Sequence, residues 1–166
     1  MNKQPNSYHC FICGVQNDAG VGVCFYDATS AEGQPEVVAE FVGRVEHQGY
    51  PGRMHGGVAT GILDEVIGRA INSGREAGAE TIWGVAVELS SRFHQPVPLE
   101  VPLSARGRIT RERSRLFEGS GEIYLADGSV AVSAQARYLK LPLEAISQID
   151  PVELGWRVYP DNAATS

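Results

Sequence analysis

One long helical pattern lies among six strand-like segments, and this imbalance limits the possible folds more than any other feature. From about residue 57, apolar side chains recur at helical spacing, and Asn72-Ser73-Gly74 is a typical stop signal. A single helix cannot cover both faces of a parallel sheet. The sequence therefore predicts an α+β fold, in which a curled, mainly antiparallel six-stranded sheet wraps around one long helix.

The strand-like segments are rich in β-branched and aromatic residues and are separated by turn residues. Asp127-Gly128, between the last two segments, is a strong hairpin signal. The strands are expected at residues 21–26, 37–42, 81–93, 101–110, 116–125 and 129–141, with a short helix at 143–149. The chain is thus expected to comprise an N-terminal segment (1–20), a domain (21–141) and a C-terminal tail (142–166).

Charge and hydropathy exclude several classes of partner. The net charge of −6 argues against nucleic acid, because binding to phosphates requires a positive field. No apolar run approaches the ~20 residues that span a membrane. The first ten residues lack the apolar core of a secretory signal. We therefore expect a cytoplasmic protein that binds neither nucleic acid nor membrane.

The three cysteines occur near the N-terminus, and Cys10 and Cys13 form a C-x-x-C pattern. With His9 and Cys24 they offer four possible zinc ligands, although a second ligand pair with finger-like spacing is absent. The alternative is a tight turn with small buried thiols. The second interpretation predicts no metal and no cofactor.

A stripe of glycines on the predicted helix surrounds one acidic residue. At about 100° per residue, Gly57, Gly61, Asp64 and Gly68 fall within about 60° of one another, opposite the apolar face. Each glycine costs a helix about 1 kcal/mol relative to alanine. Such a stripe is useful where another group approaches the helix closely. We therefore expect this face to be functional and Asp64 to be its reactive group.

The start of the helix and Asp64 complement each other chemically. The N–H groups of Gly56 and Gly57 are expected to be unpaired where the helix dipole is positive, so they suit an oxyanion. The Asp64 carboxylate suits a general base or a nucleophile. Gly57 and Asp64 are ~10 Å apart along the axis, too far for one carbonyl to contact both. An antiparallel helix from a second subunit would bring them together, which predicts two composite sites in a dimer.

Other polar residues near the helix have open roles. His55 either contacts substrate or pins its loop by a hydrogen bond to the backbone, while His47 is expected to face solvent. Arg111 and Arg113, with Arg115, lie near a predicted hairpin turn. They either bind the phosphates of a ligand or form a solvated turn.

The run His55-Gly56-Gly57-Val58 with Asp64-Glu65 resembles the HGG…D motif of the phenylacetate-pathway type of hotdog thioesterases. The segment Cys10-Phe11-Ile12-Cys13-Gly14 resembles a C-F-x-C-G segment in a branch of that family, which explains these cysteines without zinc. The resemblance covers roughly residues 8–140.

The resemblance implies hydrolysis of acyl-CoA thioesters without a cofactor, in homodimers that often pair into dimers of dimers. It assigns the catalytic carboxylate to Asp64, the oxyanion N–H to Gly57 and the motif histidine to His55. Relatives often have a water-orienting polar residue in the preceding loop, for which Gln48 is a candidate together with His47. A serine or threonine of some relatives is replaced here by Ala86.

Two other functions fit the same fold. Hotdog dehydratases or hydratases carry a helix acid four residues after the Gly-Val step, a position occupied here by Ile62. A non-catalytic acyl-CoA-binding module is the second alternative. A carboxylate such as Asp64 beside the thioester has no use in pure binding, so hydrolysis is favoured.

Overall fold

The computed structural model describes residues 1–76 and 78–161. Its main helix, α1 (Gly56–Arg69), continues into a 3₁₀ turn at Ala70–Asn72. Gly74 follows with a φ of 73°, a backbone conformation that glycine adopts at little cost. The stop signal predicted at this point is confirmed.

Among the described residues, seven strands form one antiparallel sheet in the order β1-β2-β3-β5-β6-β7-β4. The α+β class with one main helix is confirmed, but the predicted count of six strands is wrong. The extra strand is a two-residue segment that pairs with β2, too short to show an alternating pattern. The strands are β1 (Asn2–Lys3), β2 (Cys24–Thr29), β3 (Pro35–Val42), β4 (Gly84–Phe93), β5 (Pro102–Glu112), β6 (Leu116–Tyr124) and β7 (Val130–Lys140).

The hairpin between β6 and β7 turns at Asp127-Gly128, as the sequence predicts. Gly128 has a φ of 83°, and the Asp127 carboxylate accepts a hydrogen bond of 2.9 Å from the Ser129 N–H. After β7, the tail begins with helix α2 (Leu143–Ile146), which is three residues shorter than predicted. None of the helices in the described ranges is long and apolar enough to cross a membrane.

The apolar face of α1 forms the centre of the core. Ile62, Leu63, Val66 and Ile67 are fully buried against the sheet. Burial of each such side chain contributes about 1.5–3 kcal/mol. Gly107 of β5 permits the close packing, because a Cβ there would overlap the main chain at Val66.

Helix α1 runs antiparallel to the neighbouring strand β4. At its start, a Cβ on Gly56 would lie 3.3 Å from the Phe93 ring at the end of β4. In the next turn, the Thr60 hydroxyl bonds the Ser91 hydroxyl at 3.2 Å. The Asp64 turn contacts Tyr138, which pairs with Ala86 near the start of β4. The two ends of β4 therefore lie beside two different parts of α1.

The N-terminal segment and the tail pack together over the C-terminal half of α1. The Tyr8 N–H donates to the Leu154 carbonyl at 2.8 Å. Arg69, which is buried, lies between the rings of Phe25 and Trp156, at 4.1 and 5.0 Å from their centroids. The two ends of the chain thereby become walls for the site described next.

Candidate active site

Asp64 is half-buried on α1, and its side chain is held by one hydroxyl. The Tyr138 hydroxyl lies 3.0 Å from Asp64 Oδ1 and 2.7 Å from the Asp64 carbonyl oxygen. Among the described residues, Oδ2 has no hydrogen-bond partner. Burial raises the pKa of Asp64, the Tyr138 hydrogen bond lowers it, and the charge of Glu65 raises it, with a net upward shift. The carboxylate therefore has one free oxygen and an increased affinity for protons.

The position of Tyr138 explains one glycine of the stripe. Its ring stacks on Phe117 with centroids 4.8 Å apart and planes inclined by 9°. A Cβ on Gly68 would lie 3.2 Å from this ring, so glycine at that position lets the phenol reach Asp64. Similarly, a Cβ on Gly61 would lie 3.1 Å from Ile12 Cδ1. The close approach expected at this face is made by side chains of the same subunit.

We expect Tyr138→Phe to move the acidic limb of the pH–rate profile to higher pH. The change removes the hydrogen bond that lowers the pKa of Asp64 and preserves the stacking on Phe117. Rates measured across the pH range test this, with Tyr124→Phe as the control because that hydroxyl contacts Glu122. An unchanged acidic limb in a folded Tyr138→Phe variant would remove Tyr138 from the control of Asp64.

The start of α1 presents one free amide. His55 caps the helix, and its Nδ1 accepts a hydrogen bond of 2.9 Å from the Gly57 N–H. The expectation that both amides are unpaired is therefore wrong for Gly57. In the described part of the chain, the Gly56 N–H has no hydrogen-bond partner, and it lies at the positive end of the helix dipole. Of the two roles left open for His55, the structure shows the hydrogen bond to the backbone, at Gly57.

The loop before α1 is held by side chains that the sequence analysis assigned differently. His47 is buried, which corrects the expectation that it faces solvent. Its Nδ1 accepts from the Arg44 N–H at 3.0 Å, so its Nε2 donates to the Ala19 carbonyl at 3.1 Å. Gln48 is exposed, and its Oε1 accepts a hydrogen bond of 2.8 Å from the Gly52 N–H. Both side chains stabilise the loop that delivers His55.

The thioesterase superfamily model matches residues 51–132, which include β4, α1 and Asp64. A thioesterase superfamily protein of known crystal structure is 31% identical, with a TM-score of 0.65 and with 79% of this chain covered. Residues 51–132 belong to the thioesterase superfamily. The chain spans 63% of the length of the protein of known crystal structure. Among curated proteins, none matches the chain significantly.

More distant superfamily structures share the fold. A phenylacetic acid degradation-related protein from Ralstonia eutropha is 20% identical, with a TM-score of 0.57 over 69% of this chain and 83% of its own. A Bacillus halodurans protein crystallised with CoA is 19% identical, with a TM-score of 0.56 over 70% of this chain and 74% of its own. At these identities the likeness concerns the fold.

Cys10 and Cys13 lie beside Glu65 in the structure. The zinc ligands considered from the sequence were instead His9, Cys10, Cys13 and Cys24. The three side chains offer ligand atoms within 4.8 Å of one another, whereas His9 and Cys24 lie outside the group. Arg69 donates to Glu65 at 2.6 Å and to the Cys13 sulfur at 3.3 Å. This guanidinium supplies positive charge to the group. The four-ligand arrangement with His9 and Cys24 is therefore wrong.

The predicted arginine group lies at the turn between β5 and β6, and its side chains are exposed. Strand register places this turn at the Asp64 end of the sheet, because Phe117 pairs with Tyr138 and the Lys140 N–H donates to the Arg115 carbonyl. Arg111 and Arg113 therefore lie at the end of the sheet where Tyr138 contacts Asp64.

Proposed function

We propose that the chain hydrolyses acyl-CoA thioesters, with Asp64 as the group that activates water. The observation that carries the proposal is the Asp64 carboxylate, fixed through Oδ1 by Tyr138 and free at Oδ2 beside a pocket. Membership of the thioesterase superfamily and the CoA complex of the Bacillus halodurans protein support the substrate class.

The proposed site requires two subunits. Gly56 and Asp64 are eight residues apart on one helix, a rise of ~12 Å, so one thioester cannot contact both in the same chain. Within residues 1–76 and 78–161, strand β4 is a terminal strand with one unpaired edge, and its apolar side chains Val85, Val87 and Phe93 are exposed. A long apolar edge of this kind favours pairing with another strand. We infer that β4 pairs with β4 of a second copy about a twofold axis.

This pairing brings complementary groups together. Because α1 runs antiparallel to β4, the Gly56 end lies beside Phe93 and the Asp64 turn lies near Ala86. A twofold axis beside the middle of β4 pairs the strand with its copy in antiparallel orientation. Each end of β4 then lies next to the opposite end of the copy. Asp64 of one subunit then faces the helix start of the other, and the assembly contains two equivalent sites.

The Gly56 N–H is the proposed oxyanion donor, in place of Gly57. The Gly57 N–H is already bonded to His55, which positions the helix start. The Gly56 N–H has no hydrogen-bond partner among the residues that the structure describes. A donor of this kind stabilises the transition state of acyl transfer by about 3 kcal/mol. His55 thus acts by holding the backbone around the amide that binds the carbonyl oxygen.

The reaction follows from these placements. Asp64 takes a proton from water, and the resulting hydroxide adds to the thioester carbonyl carbon while the Gly56 N–H binds the oxyanion. Collapse of the tetrahedral intermediate breaks the carbon–sulfur bond, and the CoA thiolate takes the proton from Asp64. The products are a carboxylic acid and CoA. A raised pKa makes Asp64 a stronger base than an exposed aspartate.

Arg111 and Arg113 are proposed to bind CoA phosphates. Guanidinium groups suit phosphate geometry, and both side chains are exposed at the Asp64 end of the sheet. Gln48 remains a proposed substrate contact through its exposed amide.

The test compares acyl-CoA with the same acyl group on N-acetylcysteamine, which lacks phosphates. Wild type should release thiol from both. Arg111→Ala with Arg113→Ala should raise KM for acyl-CoA about tenfold, equivalent to ~1.4 kcal/mol, and leave the truncated thioester unaffected. Arg157→Ala, on the exposed part of the tail, is the control. CoA binding without thiol release from any thioester would refute hydrolysis and favour a binding module.

A further inference from the structure

The pocket beside Asp64 has walls that come mainly from outside α1. Its volume is about 340 Å³, at the lower end of the range for small-molecule sites. Ile12 comes from the N-terminal segment, Trp83 precedes β4, and Trp156 comes from the tail. The parts of the chain that flank the superfamily match on both sides therefore shape this pocket.

Almost every polar side chain that lines the pocket is already engaged. Glu65 accepts from Arg69 at 2.6 Å, and Tyr138 donates to Asp64. Asn72 bonds the main chain of Ile82 at 2.8 and 3.0 Å. The unpaired polar side-chain atoms of the described lining are Asp64 Oδ2, the exposed Thr81 hydroxyl and the indole N–H groups of Trp83 and Trp156. The other charged side chains of the lining are paired with each other or with the protein, so the pocket suits a mainly apolar ligand group with its polar end at Asp64.

Trp83 lies between this pocket and a larger groove, together with Thr81 and Ile82. Its ring lies 5.5 Å from that of Trp156, with the planes inclined by 51°, so the two indoles form one wall. Trp83 also lines a groove of about 880 Å³ between the start of the tail and residues 80–83. Trp83 has the largest side chain of the three shared residues, so its indole is the main barrier between the pocket and the groove.

We propose that this pocket binds the acyl group and restricts it to compact ones, either a short straight chain or a single aromatic ring. The inference rests on the proposed hydrolysis of acyl-CoA. The thioester carbonyl lies at Asp64, the acyl group fills the space between Ile12 and Trp83, and CoA remains outside. The tail has a role in this arrangement, because Trp156 supports the indole that closes the pocket.

The test measures kcat/KM for acetyl-, hexanoyl-, benzoyl- and dodecanoyl-CoA. Wild type should prefer hexanoyl- or benzoyl-CoA and should be at least tenfold less efficient with dodecanoyl-CoA. Trp83→Ala should open the pocket into the groove and raise the dodecanoyl-to-hexanoyl ratio of kcat/KM at least tenfold. Trp83→Phe, which keeps an aromatic wall, is the matched control and should change the ratio much less.

Several results would overturn the inference. Wild-type preference for dodecanoyl-CoA would do so, as would an unchanged ratio in a folded Trp83→Ala variant. If Trp83→Ala does not fold, as judged by circular dichroism, Ile12→Ala enlarges the pocket from its opposite wall and should shift the preference in the same direction. Thiol release with no dependence on acyl size refutes the pocket alone, whereas no release from any acyl-CoA refutes the proposed function as well.

Discussion

Asp64→Asn is expected to lower kcat/KM for acyl-CoA by a factor on the order of 10³, while the chain still folds and associates. The amide preserves the shape of the side chain and can still accept the Tyr138 hydrogen bond, but it cannot take a proton from water. Thiol release measured with purified protein tests this. Glu144→Gln, an exposed acid on α2, is the control and should leave the rate unchanged.

The same variant should be at least as stable as wild type at neutral pH. The pKa of Asp64 is raised in the folded state, mainly by burial, so the folded protein binds a proton more readily there than the unfolded chain. The stability of wild type therefore falls as pH rises through this window, and replacement by asparagine removes that loss. Thermal unfolding at acidic and neutral pH measures the difference. Retained activity, or strong destabilisation at neutral pH, would contradict the role given to Asp64.

Val87→Asp is expected to separate the subunits and abolish activity together. Val87 lies on the unpaired edge strand β4 and is 56% exposed, so a charge there would be buried in the proposed interface. Wild type should have a mass that is an even multiple of 17.9 kDa by light scattering, and the variant should approach 17.9 kDa. Activity should be lost although Asp64 and Gly56 are both intact, because neither subunit then completes a site.

Val152→Asp provides the comparison for this interface. Val152 is 77% exposed on the tail, so the same substitution there adds the same charge without touching β4. This variant should keep the mass and the rate of wild type. A fully active Val87→Asp monomer would show that one subunit suffices and would refute the composite site.

Short sequence patterns predicted much of the secondary structure. The helical spacing of apolar residues located α1, and Asp127-Gly128 located the last hairpin, because both signals arise from neighbours in sequence. The glycine stripe around a single acidic residue predicted Asp64 as the reactive group for the same reason. Strand β1 was missed because two residues contain no period.

Short sequence patterns could not predict hydrogen bonds between residues that are distant in the sequence. Nothing near Asp64 in the sequence indicates that Tyr138, 74 residues away, holds its carboxylate. The buried His47 ring donates a hydrogen bond to the Ala19 carbonyl, which lies 28 residues away in the sequence. The capping of Gly57 by His55 is a local contact, but it depends on a side-chain rotamer that residue types do not specify.

The sequence by itself determined the sheet-and-helix class, the glycine-lined face of α1 and its acidic residue, since periodicity and residue type are properties of a short stretch of chain. Only the tertiary structure decided which amide at the helix start is free, which hydroxyl holds Asp64 and which indoles close the pocket. Those choices depend on contacts between distant segments, and such contacts form only when burial of the common core brings the segments together.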